Sequence, residues 1–432
     1  MTGMETSRNT RSGRVCSSLS SPSSPFAAVS TIADRYLHVK TRDGTYHRMV
    51  YKVTTDNGIV GWGDYDWGGL PPPRDRLEPH IGKDPFDYLN TNVEEGLGMA
   101  LYDIMGKYLD KPVHALLGQK VRDGAQVAAW SWGGPTAKEF QADVARAVKQ
   151  GYMIFKIHTN ALEDLFEWTK AAEEVTPPGF KLHYDFTGRP RRPKTLAALL
   201  PIINELERKH PIVQWLEDPM DKTDVTSWRE LRNRTKLTVV HGGGAAMGGM
   251  QEVIHGMADA YMIGGPVGTM MSEGHAYGRA NIQVLIQFCG GTLAKAMALH
   301  VAAVLPTASG HMINLDDQCD VDITTKRIPV HEGFSPVPDG PGLGFEVDEK
   351  ALARISANKP REAPRYVGVL KLAGGHTVYS LGQTNIVGIA GNEVNGVIGQ
   401  KYSRWIDDGS PEFEKAYDRV KNDGYFIEVT KV

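Results

Sequence analysis

The chain has few cysteines, little net charge and no long apolar run, and each absence excludes a class of protein. Its three cysteines, Cys16, Cys289 and Cys319, are too few and too scattered for a disulfide framework or a thiolate zinc site. A net charge of −3, from 48 basic and 51 acidic residues, excludes a protein that binds nucleic acid or an anionic membrane through bulk charge. No apolar run approaches the ~20 residues of a membrane-spanning helix. These absences predict a cytoplasmic protein.

The N-terminal segment differs in composition from the rest of the chain. Residues 1–32 are rich in Ser, Thr and Arg and lack the apolar stretch of a secretory signal. We predict a disordered leader here, with an organelle transit peptide as the alternative. Strand patterns at His47–Val53 and up to Asp64, followed by a helical pattern that ends near Leu109, predict a small α+β unit over residues 33–120.

Beyond Arg122, short β-rich runs start at intervals of roughly 20–30 residues, and helical patterns lie between most of them. This alternation predicts an α/β fold with a parallel sheet, and eight repeats favour a (β/α)8-type barrel over residues 121–330. An open doubly wound sheet is the alternative, but its dinucleotide-binding fingerprint is missing. The predicted strands are Val127–Trp132, Met153–Thr159, Phe180–Phe186, Ile212–Glu217, Leu237–His241, Ala260–Ile263, Ile282–Phe288 and Met312–Leu315.

The C-terminal part changes character twice. A turn at Pro341–Gly344 leads into a strand within residues 331–360, and residues 361–432 form glycine-rich β-like stretches around one charged helix. Glycine is abundant overall, with 47 residues, against the ~7% of an average protein. We predict that residues 361–432 are an appended lobe or lid.

Ionisable residues follow the predicted barrel strands, at the end where barrel enzymes place their catalytic groups. Lys156 and His158 are two residues apart, so they share a face of the second strand. Asp185 and Glu217 end the third and fourth strands, and two carboxylates suit a hard ion such as Mg²⁺. A partly desolvated lysine beside that ion can act as a general base. The alternatives are helix caps and salt bridges for the acids and hydrogen-bonded rim histidines.

Several motifs resemble those of the mandelate racemase/muconate-lactonizing family of the enolase superfamily, over about Val50 to Ile355. The resemblance rests on Asp56-Asn57-Gly58-Ile59-Val60-Gly61-Trp62-Gly63-Asp64, Ala100-Leu101-Tyr102-Asp103-Ile104-Met105-Gly106-Lys107, Lys111-Pro112-Val113-His114-Ala115-Leu116-Leu117-Gly118, Gly151-Tyr152-Met153-Ile154-Phe155-Lys156, Glu217-Asp218-Pro219 and Pro341-Gly342-Leu343-Gly344.

The resemblance implies a fold and a chemistry. The fold is an N-terminal α+β capping domain, a modified barrel, and a C-terminal segment over 331–360 that returns to the cap. The family removes a proton α to a carboxylate and stabilises the enediolate on Mg²⁺; its members include racemases, cycloisomerases and acid-sugar dehydratases. It also implies a homo-oligomer and a small-molecule carboxylate as the substrate, with no nucleic-acid or membrane partner.

The family's functional positions carry over unevenly. Lys156 falls on the second-strand base, and His158 replaces the second basic residue of the usual pair. Asp185 and Glu217 fall on the first two metal ligands, but the third carboxylate is absent because that position reads Gly242-Gly243. His241 is the candidate replacement, and an imidazole ligand suits Mn²⁺ or another softer divalent ion better than Mg²⁺.

The Asp-His dyad of the racemases is also missing, since Ile263-Gly264-Gly265 and Thr292 stand at its positions. Racemisation needs groups on both faces of the substrate carbon, so we favour one-sided chemistry. The chain is then a hydro-lyase that dehydrates an acid sugar, with Lys156 as the base and His158 as the acid or a substrate-binding group. The alternatives are a racemase, epimerase or cycloisomerase of the same superfamily, and a catalytically lapsed barrel that acts as a binding or scaffold protein.

Two further residues are assigned to substrate binding. Arg189 lies shortly after Asp185 in the chain and is a candidate carboxylate clamp, with a solvated basic loop as the alternative. Trp215 lies on the same face of its strand as Glu217. The loop between Trp67 and Asp87 is shorter than is usual in the family, so we predict that the C-terminal lobe covers the barrel mouth instead.

Overall fold

The computed structural model describes most of the chain. The described residues are 14–17, 27–41, 44–66, 74–131, 136–159, 164–187, 195–243, 250–319, 321–359, 364–372, 374–382 and 400–429.

The N-terminal unit is an antiparallel sheet covered by one helix. Its strands lie in the order β1 (Arg14–Ser17), β2 (Val29–Thr41), β3 (Gly44–Thr55) and β4 (Val60–Asp66). The helix, α1 (Glu95–Leu109), places Leu97, Leu101 and Ile104 in one buried cluster with apolar residues of β2 and β3. These side chains recur every three or four residues, which is the spacing of one helix face. Leu109 is the last residue of α1, in agreement with the sequence.

This sheet extends further towards the N-terminus than the sequence suggested. Residues 14–17 and 29–32 of the expected leader lie in β1 and β2, and β1 pairs antiparallel with Thr31–Asp34. Backbone hydrogen bonds to an existing strand can hold a polar segment in a sheet. A composition rich in Ser and Thr therefore does not reveal such a strand.

Eight parallel strands form the closed barrel. Neighbouring strands pair in chain order, and the last pairs with the first through Met312 with Val127 and Ile313 with Ala128. This closure confirms the (β/α)8-type barrel and excludes the open sheet. The strands are β5 (Gly124–Ser131), β6 (Ile154–His158), β7 (Lys181–Asp185), β8 (Val213–Glu217), β9 (Thr238–His241), β10 (Ala260–Gly264), β11 (Gln283–Gln287) and β12 (Met312–Ile313).

Helices follow the strands and cover the outside of the barrel. Short α2 (His114–Leu117) precedes the barrel. The barrel helices are α3 (Ala137–Lys149), α4 (Leu165–Glu173), α5 (Leu196–Lys209), α6 (Val225–Arg234), α7 (Met250–Ile254), α8 (Val267–Arg279) and α9 (Thr292–Val304).

The segment after the barrel returns to the N-terminal unit. Strand β13 (Phe334–Pro336) pairs antiparallel with β5, and α10 (Glu349–Ser356) comes next. Between them, Leu343 N donates to Asp103 Oδ1 of α1 at 2.9 Å. The Pro341–Gly344 turn thus lies against the cap helix, as the resemblance implies.

The last described residues form a separate antiparallel sheet with its own core. The strands are β14 (Tyr366–Lys371), β15 (His376–Ser380), β16 (Lys401–Ile406) and β17 (Tyr425–Val429), in the order β16-β14-β15-β17. Helix α11 (Pro411–Asp423) buries Phe413 and Val420 against Val367 and Phe426. That this lobe acts as a lid stays a prediction. No helix within the described ranges is long and apolar enough to cross a bilayer.

Candidate active site

A buried lysine and two buried carboxylates meet at the carboxyl ends of three neighbouring strands. Lys156 Nζ lies 2.9 Å from Asp185 Oδ2 and 2.8 Å from Glu217 Oε2. All three side chains are at most 4% exposed. The structure therefore brings together three of the predicted site residues in one contact group.

Strand register explains why these side chains meet. His158 of β6, Asp185 of β7 and Glu217 of β8 stand opposite one another in the parallel ladder. Successive side chains of a strand point to opposite faces, so residues two apart share a face. Lys156 therefore points into the barrel one step below His158.

Burial and neighbouring charges shift the pKa values of Lys156 and Asp185 in opposite directions. Burial lowers the pKa of Lys156, but the carboxylates of Asp185 and Glu217 more than offset it, and the net shift is upwards. Burial raises the pKa of Asp185, but the Lys156 ammonium reverses this and holds it below its usual range. The pKa of Glu217 is raised by burial and by the charge of Asp185. The two carboxylates thus favour the ammonium form of Lys156 in this contact group.

His158 lies at the edge of this group, nearer the mouth. Its Nε2 lies 3.2 Å from Asp185 Oδ2, and its Nδ1 lies 3.3 Å from Thr187 Oγ1. Thr187 also donates its backbone N–H to Asp185 Oδ1 at 2.8 Å, and Trp130 meets the imidazole edge-on at 5.3 Å between ring centroids. Burial lowers the pKa of His158. The ring is therefore neutral at neutral pH and positioned by its neighbours.

A pair of histidines lies beneath the carboxylates. His183 Nε2 lies 3.0 Å from Glu217 Oε2, and His183 Nδ1 lies 2.8 Å from His311 Nε2. Trp215 packs edge-on against His311, with ring centroids 4.6 Å apart. Trp215 is thus inside the barrel, one step below Glu217, and it is partly exposed; that it contacts the substrate stays a prediction.

The end of the fifth strand holds no third carboxylate. The pair Gly242-Gly243 stands there, and Gly243 is at the position of the missing carboxylate, where a Cβ would meet nothing within 4 Å. The third ligand is therefore missing because Gly243 has no side chain, and not because the space is filled. Within the described ranges, no three His, Cys, Asp or Glu side chains form a group able to hold a metal ion. The residues present do not fit the three-carboxylate Mg²⁺ site of the family.

His241, the candidate replacement ligand, faces the other side of the barrel wall. Its ring packs against Tyr261, with centroids 5.6 Å apart, and against Trp228 of α6 at 5.4 Å. Burial, and to a lesser extent the charge of Lys222, lowers the pKa of His241 to about 4. His241 and Val240 are adjacent in the strand, so they point to opposite faces, and His241 is the outward one. The structure does not bring it to Asp185 and Glu217.

Arg189 and Thr292 are the remaining positions that the sequence analysis discussed. Arg189 lies within residues 188–194, outside the described residues. Thr292, which stands where the racemase histidine would be, is fully buried and donates its hydroxyl to Asp322 Oδ2 at 2.7 Å. It is therefore engaged in a structural contact.

His311 is the site residue that the sequence reasoning missed. It precedes Ile313 by two residues, and Ile313 faces the barrel interior. Because residues two apart on a strand share a face, the sequence could have placed His311 inside the barrel. It lies just before the two residues of β12, outside the strand that the pattern predicted.

Comparisons with known proteins agree with this architecture. Residues 139–351 match the model of the family described as enolase C-terminal domain-like. The solved structure of the muconate lactonizing enzyme from Pseudomonas putida superimposes with a TM-score of 0.63 at 18% identity, covering 78% of this chain and 100% of that chain. The barrel and its mouth thus define an enolase-type domain. Residues 139–351 thus form a domain of the enolase C-terminal domain-like family, and the chain shares the fold of the muconate lactonizing enzyme.

Sequence relatives with assigned activities include two acid-sugar dehydratases. The D-gluconate dehydratase of Thermoproteus tenax is 26% identical over 370 residues, which are 74% of this chain and 71% of that protein. The D-galactonate dehydratase of Variovorax paradoxus (strain S110) is 26% identical over 377 residues, covering 72% of this chain and 92% of that protein. The similarity therefore extends beyond the barrel.

Proposed function

We propose that the chain is a hydro-lyase that dehydrates a polyhydroxy acid to a 2-keto acid, beginning with removal of the proton α to the carboxylate. The observation that carries the proposal is the meeting of Lys156, His158, Asp185 and Glu217 at the barrel mouth, in a chain similar to acid-sugar dehydratases over about three quarters of its length.

We assign the proton transfer to His158 and the electrostatic role to Lys156. A neutral imidazole is a base at neutral pH, whereas an ammonium between two carboxylates is not. His158 Nε2 faces Asp185 Oδ2, so Nδ1 is the nitrogen that accepts the proton. Lys156 Nζ is a fixed positive charge beside the place where enediolate charge develops, and such preorganised charges stabilise transition states. Arg189 remains our candidate for holding the substrate carboxylate.

Dehydration is favoured over racemisation because the acid–base group lies on one side only. Thr292 is committed to Asp322, and Gly264 ends β10 without a side chain. The protonated His158 then returns its proton to the β-hydroxyl, which leaves as water, and the resulting enol takes up a solvent proton to become the 2-keto acid. A homo-oligomer and a cytoplasmic location remain predictions from the sequence.

A second candidate function is a lapsed barrel that binds a carboxylate without converting it. Gly243 is the observation that favours it, since it stands where the family places a carboxylate. The two functions differ in one outcome, because only the first yields a product.

The test is a panel of aldonic and aldaric acids, including D-gluconate and D-galactonate, assayed for 2-keto acid. We expect product from at least one acid and a loss of about 10²–10⁴-fold in kcat for His158→Asn. The matched control is His275→Asn, because His275 is an exposed histidine on α8. Binding of an acid without product from any member of the panel would favour the lapsed barrel, and full activity of His158→Asn would remove the proposed base.

A further inference from the structure

The carboxylates at the barrel mouth already have a cation. Lys156 Nζ lies within 2.9 Å of one oxygen of Asp185 and one oxygen of Glu217, and its side chain is 1% exposed. Buried carboxylates need a positive partner, since an unpaired buried charge is strongly unfavourable. In this family the partner is a divalent ion, but here the chain itself supplies one.

Donors within the chain face three of the four carboxylate oxygens. Thr187 N donates to Asp185 Oδ1. Lys156 and His158 face Asp185 Oδ2, and Lys156 and His183 face Glu217 Oε2. An ion bound to Oδ2 and Oε2 would sit close to the Lys156 ammonium, and like charges at short range in a buried site repel strongly.

The third ligand of the family's metal site has no counterpart in this part of the chain. Gly243 stands at its position and carries no side chain, although a Cβ there would meet nothing within 4 Å. Residues 242–250 read Gly-Gly-Gly-Ala-Ala-Met-Gly-Gly-Met and include no Asp, Glu, His or Cys. His241 points to the outer face. Neither the strand end nor the loop after it supplies a ligand.

We infer that Lys156 is the resident cation of this centre and takes the place of the divalent ion between Asp185 and Glu217. The centre is then complete without Mg²⁺ or Mn²⁺, unlike the centres of the family. This inference concerns the same site as the proposed function. It rests on the groups that contact the two carboxylates and does not depend on which reaction the site carries out.

The first test measures ion binding by the full-length wild-type chain. After dialysis against EDTA, Mn²⁺ is titrated in and the free ion is followed by EPR, and melting is recorded with and without MgCl₂. We expect no stoichiometric Mn²⁺ binding and no change in Tm. If the site bound the ion, a free ion concentration one hundred times the Kd would raise Tm by roughly 3 °C. Stoichiometric binding of either ion with such a shift would overturn the inference.

The second test removes the ammonium. Lys156→Met leaves two buried carboxylates without a cation, so we expect a lower Tm that Mn²⁺ restores. The matched control is Lys222→Met, because Lys222 Nζ contacts the neighbouring Asp218 at 3.0 Å but is 28% exposed. Lys222→Met should gain no response to Mn²⁺. A Lys156→Met protein with the wild-type Tm and no response to Mn²⁺ would also overturn the inference.

A double variant tests the same charge balance if Lys156→Met does not fold. Lys156→Met combined with Glu217→Gln removes one carboxylate together with the ammonium, and we expect it to regain most of the lost Tm without an ion. Failure of this rescue would contradict the inferred charge balance. Product assays separate the two proposals: product with a bound ion would reject this inference alone, whereas no ion and no product would reject only the proposed function.

Discussion

Buried charges with short-range partners recur in this molecule away from the barrel mouth. Arg48 of β3 is 1% exposed, and its guanidinium donates from Nε to Asp64 Oδ1 at 2.9 Å and from Nη1 to Asp322 Oδ1 at 3.4 Å. Asp64 Oδ2 also accepts from Gly291 N at 3.0 Å. One arginine thus joins the N-terminal sheet to the loops at the end of the barrel.

Replacing Arg48 should be costly because it leaves two buried carboxylates without their cation. We expect Arg48→Met to lower the free energy of unfolding by about 3–5 kcal/mol. Lys52→Met is the matched control on the same strand. Its partner Glu349 lies 2.7 Å away, but this pair is exposed, so the loss should be about 1 kcal/mol or less. The measurement is the urea midpoint followed by circular dichroism, and equal small losses for both variants would contradict this account.

For individual residues, the sequence predicted which face of a strand a side chain occupies better than it predicted which side chains touch. The alternation of strand residues placed Lys156, Asp185 and Glu217 on inward faces, and the structure has them there. The sequence also placed His241 near the metal ligands, although the same alternation makes it outward-facing once β9 is seen to end at His241. Distances were beyond reach, because spacing along a strand does not say whether a lysine will contact two carboxylates or one.

At the scale of elements, close approach of α1 to β4 depends on glycine. A Cβ at Gly63 would lie 1.7 Å from the carbonyl oxygen of Gly96, and one at Gly61 would lie 2.1 Å from that of Ala100. These are backbone atoms of the helix, which do not move aside as a flexible side chain does. The glycine motif of the sequence therefore marks a packing contact between strand and helix.

Gly63→Ala should separate the helix from the sheet. We expect it to lower the free energy of unfolding by about 3 kcal/mol or more, since overpacking against backbone cannot relax locally. The control is Gly58→Ala, where a Cβ would meet nothing within 4 Å but the φ of +84° is unfavourable for alanine, which costs about 1–2 kcal/mol. Thermal and urea unfolding of both variants measure the difference. A Gly63→Ala variant no less stable than Gly58→Ala would show that α1 shifts freely.

Elements of the barrel were predictable because periodicity is local. The predicted strand Leu237–His241 and helix Val225–Arg234 agree with β9 and α6 to within one residue at each end. By contrast, β1 was not predicted, because its strand state depends on pairing with β2 and not on its own composition.

At the scale of the whole molecule, cap and barrel are joined through a neutral buried histidine. His300 of α9 accepts from His114 N at Nδ1, at 3.3 Å, and its Nε2 lies 3.4 Å from Leu343 O. These partners belong to the segment after α1 and to the C-terminal return. Burial, followed by the nearby His114, lowers the pKa of His300 to about 3.

Because the pKa of His300 is lower in the folded state than in the unfolded state, the free energy of unfolding depends on pH in the acid range. Above pH ~6.5 both the folded and the unfolded state hold this imidazole neutral, so stability is fully present. Below that, only the unfolded state takes up the proton, and stability falls as the pH falls towards about 3. Between pH 7 and pH 5 we expect this residue to account for a loss of about 2 kcal/mol.

His300→Gln should reduce that loss, because glutamine does not titrate. The measurement is the urea midpoint at pH 7 and pH 5 for the wild type, for His300→Gln and for His331→Gln, whose histidine is exposed. We expect the pH dependence to shrink only in His300→Gln. The same pH dependence in all three proteins would contradict the assignment.

The central claim is that this enolase-type barrel begins its reaction by removing the proton α to a carboxylate. The direct measurement is turnover of the substrate in D₂O, with the product followed by NMR and mass spectrometry. Dehydration by this route predicts a 2-keto acid that carries a solvent deuteron on the carbon that lost its hydroxyl, formed by the wild type and not by His158→Asn. A product that keeps the substrate's own α-hydrogen on that carbon would contradict the account.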